Sequence, residues 1–371
     1  MKKLCLFFNI APHYREAIYH QIDKEYNCDW YFGDNRTDIK TMNYQLLNNV
    51  HWLKTYQWRN AIIYQKGLLR LLFDKKYSTY LVIGEPRNIS IWLLLIFKRL
   101  LYPNKRIYTW SHGNSGKRKG ISQHILNIFS KLSNGIFLYS NYAKNIMVNR
   151  GVNPDKLFVI HNSLDYDKQI TIRNKLKPSS IYTQHYDNNN KNIIFIGRLT
   201  KIKRLDILLY AIKHLKDKNI NVNLTLVGDG VAKGELLEIV NKLEINKQVW
   251  FYGECYNEEE NGQLIYNADV CVSPGNVGLT SIHSLTYGTP VITNDNFAYQ
   301  MPEFEAIIDG VTGAFYHYDD YVSLSDAIEK WLYHENYDRE YIRSKCYEEI
   351  DMQWTPYYQM EIIRKNLIIN K

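Results

Sequence analysis

Cysteine is scarce and scattered. Five cysteines stand singly at positions 5, 28, 255, 271 and 346 of 371 residues, and none falls in a CxxC or Cys/His spacing. The spacing excludes a zinc-ribbon type of site, and the odd count argues against a closed disulfide framework. A reducing cytoplasm is the expected setting. Long hydrophobic runs are also missing: no stretch of about 18 apolar residues occurs, so no membrane-spanning helix is expected. The opening MKKLCLFFNIAPHYRE carries an apolar run of only about seven residues, too short for a secretion signal, and it ends in a polar turn without a small-residue cleavage site. It reads as a first buried strand. No repeat at a solenoid period is visible, and no basic motif interleaved with stacking aromatics marks a nucleic-acid binder, so nucleic acid is not an expected partner.

What is present is the composition of an ordinary globular chain, 45% hydrophobic and 23% charged, with a length that suits two domains. The net charge of +8 hides an asymmetry. Residues 1–165 carry 24 Lys and Arg against 10 Asp and Glu, whereas the remainder carries 22 against 28. The first part is suited to meet an anionic surface or substrate. From Lys3 to about Asn162, strand-length apolar runs (LCLFFN, CDWYFG, TYLVIG, RIYTWS, GIFLYS, LFVIHN) alternate with helical ones (YREAIYHQID, ISIWLLLIFKRLL, YAKNIMVNRG). That order predicts an α/β fold, a parallel sheet covered by helices, with ligands beyond the carboxyl ends of the strands. Weight therefore falls on loops Pro12–Arg15, Gly84–Asn88, Ser111–Gly120, Ser140–Tyr142 and Asn162–Asp165. A polar interval, 166–191, has no apolar periodicity and is taken as a linker. The alternation then restarts with NIIFIG, LTLVGDG, VWFYGE and DVCVSP, and two helices, about Ser323–His334 and Thr355–Ile369, end the reading.

Four stretches carry chemistry. In GRLTKIKRLD, a buried strand ends at Gly197, and Arg198 and Lys203 stand five residues apart before a helix; a guanidinium fork and an ammonium there can neutralise a diphosphate. A solvated turn is the equal alternative. Gly228-Asp229-Gly230 lets backbone approach a ligand, although a tight turn explains it better. Ser273–Thr293, SPGNVGLTSIHSLTYGTPVIT, reads as strand, glycine-bearing turn, short helix and strand, whose first helical amides favour an anion. Finally Glu303 and Glu305 precede Asp309-Gly310. Their carboxylates can take sugar or ribose hydroxyls, or simply complement a helix dipole.

In order and approximate spacing these blocks resemble the retaining glycosyltransferases of the GT-B fold, most closely family 4. NIIFIGRLTKIKRLDILLYAI is similar to that family's strand–Gly-Arg-Leu–Lys–helix block, and LSNGIFLYSNYAKNIMVNRGVNPDKLFVIHNSLD to its strand–Ser–helix–Gly–strand segment. The resemblance covers about residues 107–313 well and the first hundred weakly. It implies two Rossmann-like doubly wound domains facing across a cleft: an acceptor-side domain over 1–165, the 166–191 linker and a donor domain over 192–350. Residues 351–371 form a C-terminal helix, for which the resemblance allows a return to the first domain. It also implies that Arg198 and Lys203 hold the donor diphosphate beside Gly197. The amides of Gly278, Leu279 and Thr280 cap the distal phosphate, and His112 faces the reacting sugar. The alternative for His112 is a buried, hydrogen-bonded histidine.

The departures are specific. The family's two glutamates, eight residues apart, align with Gly275 and His283. His283 could meet the ribose, Asn276 the sugar, and Glu303 or Glu305 could supply the missing acceptors. His13 and Arg15 replace a glycine-rich turn and are assigned to the acceptor side, and Asn162-Ser163 replaces Asn-Gly. No carboxylate is placed as a nucleophile and no DxD-like metal motif is evident. The implied chemistry is a metal-independent, front-face retaining displacement from a UDP- or GDP-sugar, without a resident cofactor. The acceptor implied is a glycan, lipid-linked in many relatives, as in O-antigen or capsule synthesis. Apolar segments ISIWLLLIFKRLLY and GLLRLLF are sheet-covering helices on the simpler reading, or a peripheral contact with an anionic inner leaflet. Two other classes compete: a sugar-nucleotide epimerase on the same fold, and a catalytically silent nucleotide-sugar-binding subunit, for which the missing glutamates speak.

Overall fold

A computed structural model describes residues 3–34, 39–58, 62–117, 120–334 and 338–369. Positions 118 and 119 of the Ser111–Gly120 loop thus lie outside the described residues. The chain forms two compact units, Met1–Asp165 with Thr355–Lys371, and Tyr166–Trp354.

The first unit opens with β1 (Lys3–Phe8), α1 (Glu16–Glu25), β2 (Cys28–Gly33), β3 (Val50–Leu53) and the antiparallel pair β4 (Thr55–Trp58) and β5 (Ile62–Gln65). It continues through β6 (Tyr77–Ile83), α2 (Ile89–Leu101), β7 (Arg106–Ser111), α3 (Gly120–Leu132), β8 (Gly135–Leu138), α4 (Asn141–Asn149) and β9 (Leu157–Val159). Seven strands make one parallel sheet in the order β3-β2-β1-β6-β7-β8-β9. β1 shows why its sequence is an unbroken apolar run. Leu4, Leu6 and Phe8 pack with Trp30 and Phe32 on one face, while Cys5 and Phe7 pack with Tyr77, Tyr80 and Val82 on the other. A strand buried on both faces has no polar side to alternate with. α2 turns Ile91, Leu94 and Leu95 to the second face and leaves Leu100 and Leu101 exposed. The GLLRLLF segment is a 3-10 helix, Leu68–Phe73, instead of a full α-helix.

The second unit begins inside the interval taken as a linker. Residues of that interval form α5 (Tyr166–Arg173) and α6 (Ile181–Tyr186), anchored by buried Ile172 and Tyr182, whose hydroxyl donates to the Leu264 carbonyl at 2.7 Å. A few well-placed apolar residues suffice to dock short helices, and the polar average of the segment concealed them. There follow β10 (Lys191–Ile196), α7 (Leu205–Asp217), β11 (Val222–Val227), α8 (Lys233–Lys242), β12 (Val249–Gly253), α9 (Glu258–Asn267) and β13 (Val270–Val272). Next come α10 (Thr280–Thr286), β14 (Val291–Asn294), β15 (Gly313–Tyr316), α11 (Tyr321–Leu332) and α12 (Arg339–Gln353). The sheet is parallel, in the order β12-β11-β10-β13-β14-β15. α7 buries Leu205, Leu208, Leu209, Ile212 and Leu215, the spacing of one helical stripe, against this sheet. α12 is an addition to the two late helices expected. Its weakly amphipathic stretch seats Cys346 and Ile350, while Trp354, just past its end, donates its indole N–H to Glu349 at 2.8 Å. The last helix, α13 (Pro356–Asn366), belongs to the first unit, where it packs on α1 with Met360 and Ile363 beside Ile18 and Ile22.

Candidate functional site

In the second unit the strand order reverses between β10 and β13, neighbours from which the chain departs in opposite directions. At such a switch point the loops beyond the carboxyl ends splay apart and leave a crevice for a ligand. The two loops are those singled out in the sequence, Gly197–Arg204 after β10 and Ser273–Leu279 after β13. They are tied together: the Gly275 amide donates to the Lys203 carbonyl at 2.9 Å, and the Lys203 ammonium donates to the Asn276 carbonyl at 2.6 Å and to its side-chain oxygen at 3.2 Å. Burial lowers the Lys203 pKa to about 8, against an opposing pull from the Glu303 carboxylate. Glu303 is itself 1% exposed, and its carbonyl accepts from Ser281 Oγ at 2.7 Å. The amides of Gly278, Leu279 and Thr280 open α10 and, among the described residues, donate to nothing. Thr280 Oγ1 donates to the Ile196 carbonyl at 2.9 Å, which sets Gly197 beside α10. Arg198 is exposed and, among the described residues, makes no hydrogen bond or ion pair.

The structure thus brings Gly197, Lys203, Asn276, the 278–280 amides and Glu303 into one place, with Arg198 on the adjoining loop. Glu305, two residues on, is half-buried. The missing first glutamate has a steric reason. A Cβ at Gly275 would lie 2.1 Å from the Ile202 carbonyl oxygen and 2.7 Å from the Lys203 carbonyl carbon, so no side chain fits there while the 201–203 turn holds its position. His283 is committed elsewhere than to open solvent. Its Nε2 lies 3.0 Å from Glu258 Oε1, which also accepts from Gln169 at 2.9 Å and from the Tyr287 hydroxyl at 2.8 Å. Burial opposes ionisation of Glu258, yet His283 and these donors hold its pKa down to about 2. Gly228 and Gly230 are structural: a Cβ would stand 2.0 Å from the Gly197 oxygen and 2.3 Å from the Leu199 oxygen. Sequence reasoning missed Gln300 and Asn294. The Gln300 side chain donates to the Gly275 carbonyl at 3.1 Å and accepts from the Val277 amide at 2.9 Å. Asn294 donates to the carbonyls of Pro274 and Gly275, each at 2.8 Å. Buried amide side chains that lace a loop leave no pattern in a single sequence.

In the first unit the order reverses between β1 and β6. Arg15, after β1, sits among aromatic rings, its guanidinium 5.3 Å from the Trp110 centroid and 5.5 Å from that of Tyr139, and it donates to the hydroxyls of Tyr19 and Tyr139. A planar, weakly hydrated cation suits such a setting. His112 follows β7, its ring 4.8 Å from that of Tyr139, so Arg15 and His112 share one neighbour. It is exposed, not the buried histidine of the alternative reading. Desolvation by the surrounding protein and then the Arg15 cation lower its pKa to about 4, while Glu85 pulls the other way. With its pKa at about 4 the imidazole is neutral at pH 7. His13 does not join this group: it is exposed and its Nδ1 lies 3.1 Å from the Lys40 carbonyl. Among the described residues no three His, Cys, Asp or Glu side chains are grouped to hold a metal.

A reversed-order parallel sheet in each unit, with an anion-ready crevice in the second, defines the GT-B class of fold, and comparison with known structures supports this. The lipopolysaccharide outer core galactosyltransferase WaaB in its apo form superposes with a TM-score of 0.73 at 15% identity, over 99% of this chain and 100% of that one. HepE of Anabaena, solved in complex with UDP, gives a TM-score of 0.74 at 16% identity over 98% and 99% of the two chains. Residues 183–346 match the family model for glycosyl transferases group 1. An uncharacterised 41.2 kDa protein in the cps region of Klebsiella pneumoniae is 28% identical over 299 residues, 80% of this chain and 72% of its own length. The uncharacterised glycosyltransferase MJ1607 of Methanocaldococcus jannaschii is 28% identical over 147 residues, 38% of this chain and 36% of its own. Together these support a glycosyltransferase with the GT-B fold.

Proposed function

We propose that this chain is a retaining, metal-independent glycosyltransferase of family 4, which moves a sugar from a UDP- or GDP-sugar to a glycan acceptor in surface polysaccharide synthesis. The observation that carries this reading is the crevice at the β10/β13 switch point, where a lysine and three open amides meet, with an unengaged arginine on the adjoining loop. A diphosphate answers all of them at once. In the reaction the bond from the anomeric carbon to the diphosphate oxygen breaks, and the acceptor oxygen bonds to the same face. The acceptor proton passes to the departing phosphate oxygen. Lys203 and Arg198 stabilise the charge that grows on that diphosphate, supplying from side chains what a metal ion would otherwise supply. Neutral His112 accepts or donates a hydrogen bond to the sugar, and Glu303 and Asn276 orient its hydroxyls. The relatives' contexts, a cps region and a HepE complex with UDP-glucose, favour a nucleotide sugar and an O-antigen- or capsule-like product.

The acceptor reading is a lipid-linked glycan met at the cytoplasmic face of the membrane. No helix among the described residues is long and apolar enough to cross a membrane. Exposed Leu100 and Leu101 beside Arg99 would make the peripheral contact.

Titration of the purified chain with UDP and with GDP, repeated on Arg198→Ala/Lys203→Ala, tests the proposal. Saturable binding of one nucleotide, lost in the double variant, is expected. The crowding at Gly275 and the engagement of His283 with Glu258 favour a second reading, a nucleotide-sugar-binding subunit without turnover. Nucleotide binding with neither transfer nor donor hydrolysis would select it, and no binding of either nucleotide at millimolar concentration would refute both.

A further inference from the structure

The first unit holds a pocket of about 400 Å3 lined by Ile10, Asp34, Ile39, Thr41, Tyr44 and Trp52. It opens beyond the carboxyl ends of β1, β2 and β3, on the far side of β1 from His112. Its aromatic wall is placed in advance. Tyr44 packs edge-on against Phe32 with centroids 4.9 Å apart, its hydroxyl accepts from the Ala11 amide at 3.0 Å, and Trp52 meets it at 4.7 Å. Trp52 nevertheless keeps 53% of its surface in solvent. A large aromatic side chain that is braced yet exposed at a pocket is a contact surface in want of a flat, apolar partner. Opposite in character is Asp34: one carboxylate oxygen accepts from the Thr55 amide at 2.6 Å, and among the described residues the other is unengaged.

The charge of the lining narrows the ligand. Among the described residues Asp34 is the one acidic or basic side chain of the lining, in a unit where Lys and Arg outnumber Asp and Glu by 27 to 11. A phosphate or an anionic headgroup would be repelled here while cations abound elsewhere on the unit. A neutral polyol ring with one C–H face and a rim of hydroxyls fits both walls: the face on indole, the hydroxyls on carboxylate and the Thr41 hydroxyl.

We propose that this pocket is a carbohydrate subsite, holding one neutral sugar ring of the acceptor glycan on Trp52 and Asp34. The identity of that sugar as part of an acceptor rests on the transferase reading above. β7, which delivers His112, is two strands from β1 and four from β3, so the pocket stands about 10–19 Å from that histidine at ordinary strand spacing. The ring it holds is therefore not the one being glycosylated but one further along the acceptor, and the pocket selects acceptors by their penultimate structure.

The test labels the full chain with 5-fluorotryptophan and assigns Trp52 among the eight tryptophans by its loss in Trp52→Phe. The labelled protein is titrated with cellobiose, lactose and N,N′-diacetylchitobiose, and separately with UDP and GDP. A saturable shift of the Trp52 fluorine resonance with at least one disaccharide is expected, weakened about tenfold in Asp34→Asn by loss of one charged hydrogen bond. A Trp52 resonance unmoved by all three up to about 50 mM, far above a millimolar constant, overturns the proposal, as does a shift unchanged by Asp34→Asn. Nucleotide binding with a silent Trp52 overturns the subsite alone. A responsive Trp52 with no response to either nucleotide supports the subsite and overturns the transferase reading.

Discussion

Raising the pH from 7 to 10 should weaken UDP or GDP binding to this chain, and Lys203→Arg should abolish most of that dependence. Lys203 is buried against the 273–277 loop, and its pKa of about 8 makes it the cation of the crevice whose charge is lost within an accessible range. At pH 7 roughly ten in eleven molecules carry the ammonium, and at pH 10 roughly one in a hundred. A diphosphate stabilises the charged form, so binding raises this pKa and, above pH 8, takes up a proton. Affinity then falls by about tenfold per pH unit until the interaction itself is gone, a total of about 10- to 150-fold for a hydrogen bond to a charged group worth about 1.5–3 kcal/mol. The terminal phosphate has shed its last proton by then, with a pKa near 6, and titration of the base is common to both proteins. Arginine stays charged throughout. Isothermal titration at half-unit steps reads the slope. Unfolding cannot imitate it through this group. Because the folded pKa lies below the unfolded value of about 10.4, stability rises from pH 8 to that value. Equal slopes in wild type and Lys203→Arg, or no slope in either, would refute the assignment of Lys203 to the diphosphate.

Gly275→Ala should lower the unfolding free energy by about 1–3 kcal/mol, read in urea titration, because its Cβ meets backbone rather than a yielding side chain, and should weaken nucleotide binding through the displaced Lys203 turn. His112→Ala should leave the melting temperature and UDP affinity unchanged while reducing turnover. In the wild type the low pKa of His112 predicts no acid limb in kcat between pH 5.5 and 7.5, where an ordinary histidine would give one. Glu258→Gln should flatten the acid side of the stability profile. A carboxylate held at about 2 contributes stability that is full above its unfolded pKa of about 4.3 and is lost as pH falls through the folded one, so thermal midpoints of variant and wild type should converge toward pH 2.

Much of this was legible in the residues and their order. The alternation of strand and helix runs fixes a parallel sheet in each half, and the residues that share the crevice, Lys203, Asn276 and the 278–280 amides, lie in the two blocks whose chemistry stood out. What stayed hidden has two physical causes. Short docked helices such as α5 and α6 depend on single anchors, Ile172 and Tyr182, that an average over a polar segment erases. Contacts between distant residues have no local signature either: nothing near Glu258 announces His283, and nothing near Arg15 announces Tyr139. Gly275 is the instructive intermediate. Its identity reads as a lost carboxylate, and only the turn pressed against it shows that the backbone has taken the place of a side chain.

The return of α13 to the first unit sets the order in which the molecule can be completed during synthesis. The seat for Met360, Ile363 and Leu367, beside Ile18, Tyr19 and Ile22, is made by the earliest part of the chain but is filled only after the whole of Tyr166–Trp354 has been translated. Until then the first unit presents an apolar gap on α1, with Glu25 awaiting Arg364 at its edge. The second unit, continuous in sequence, can fold without waiting. The half that emerges first is thus the half that is finished last, and a chain released after Trp354 would carry a complete second unit joined to an unsealed first one.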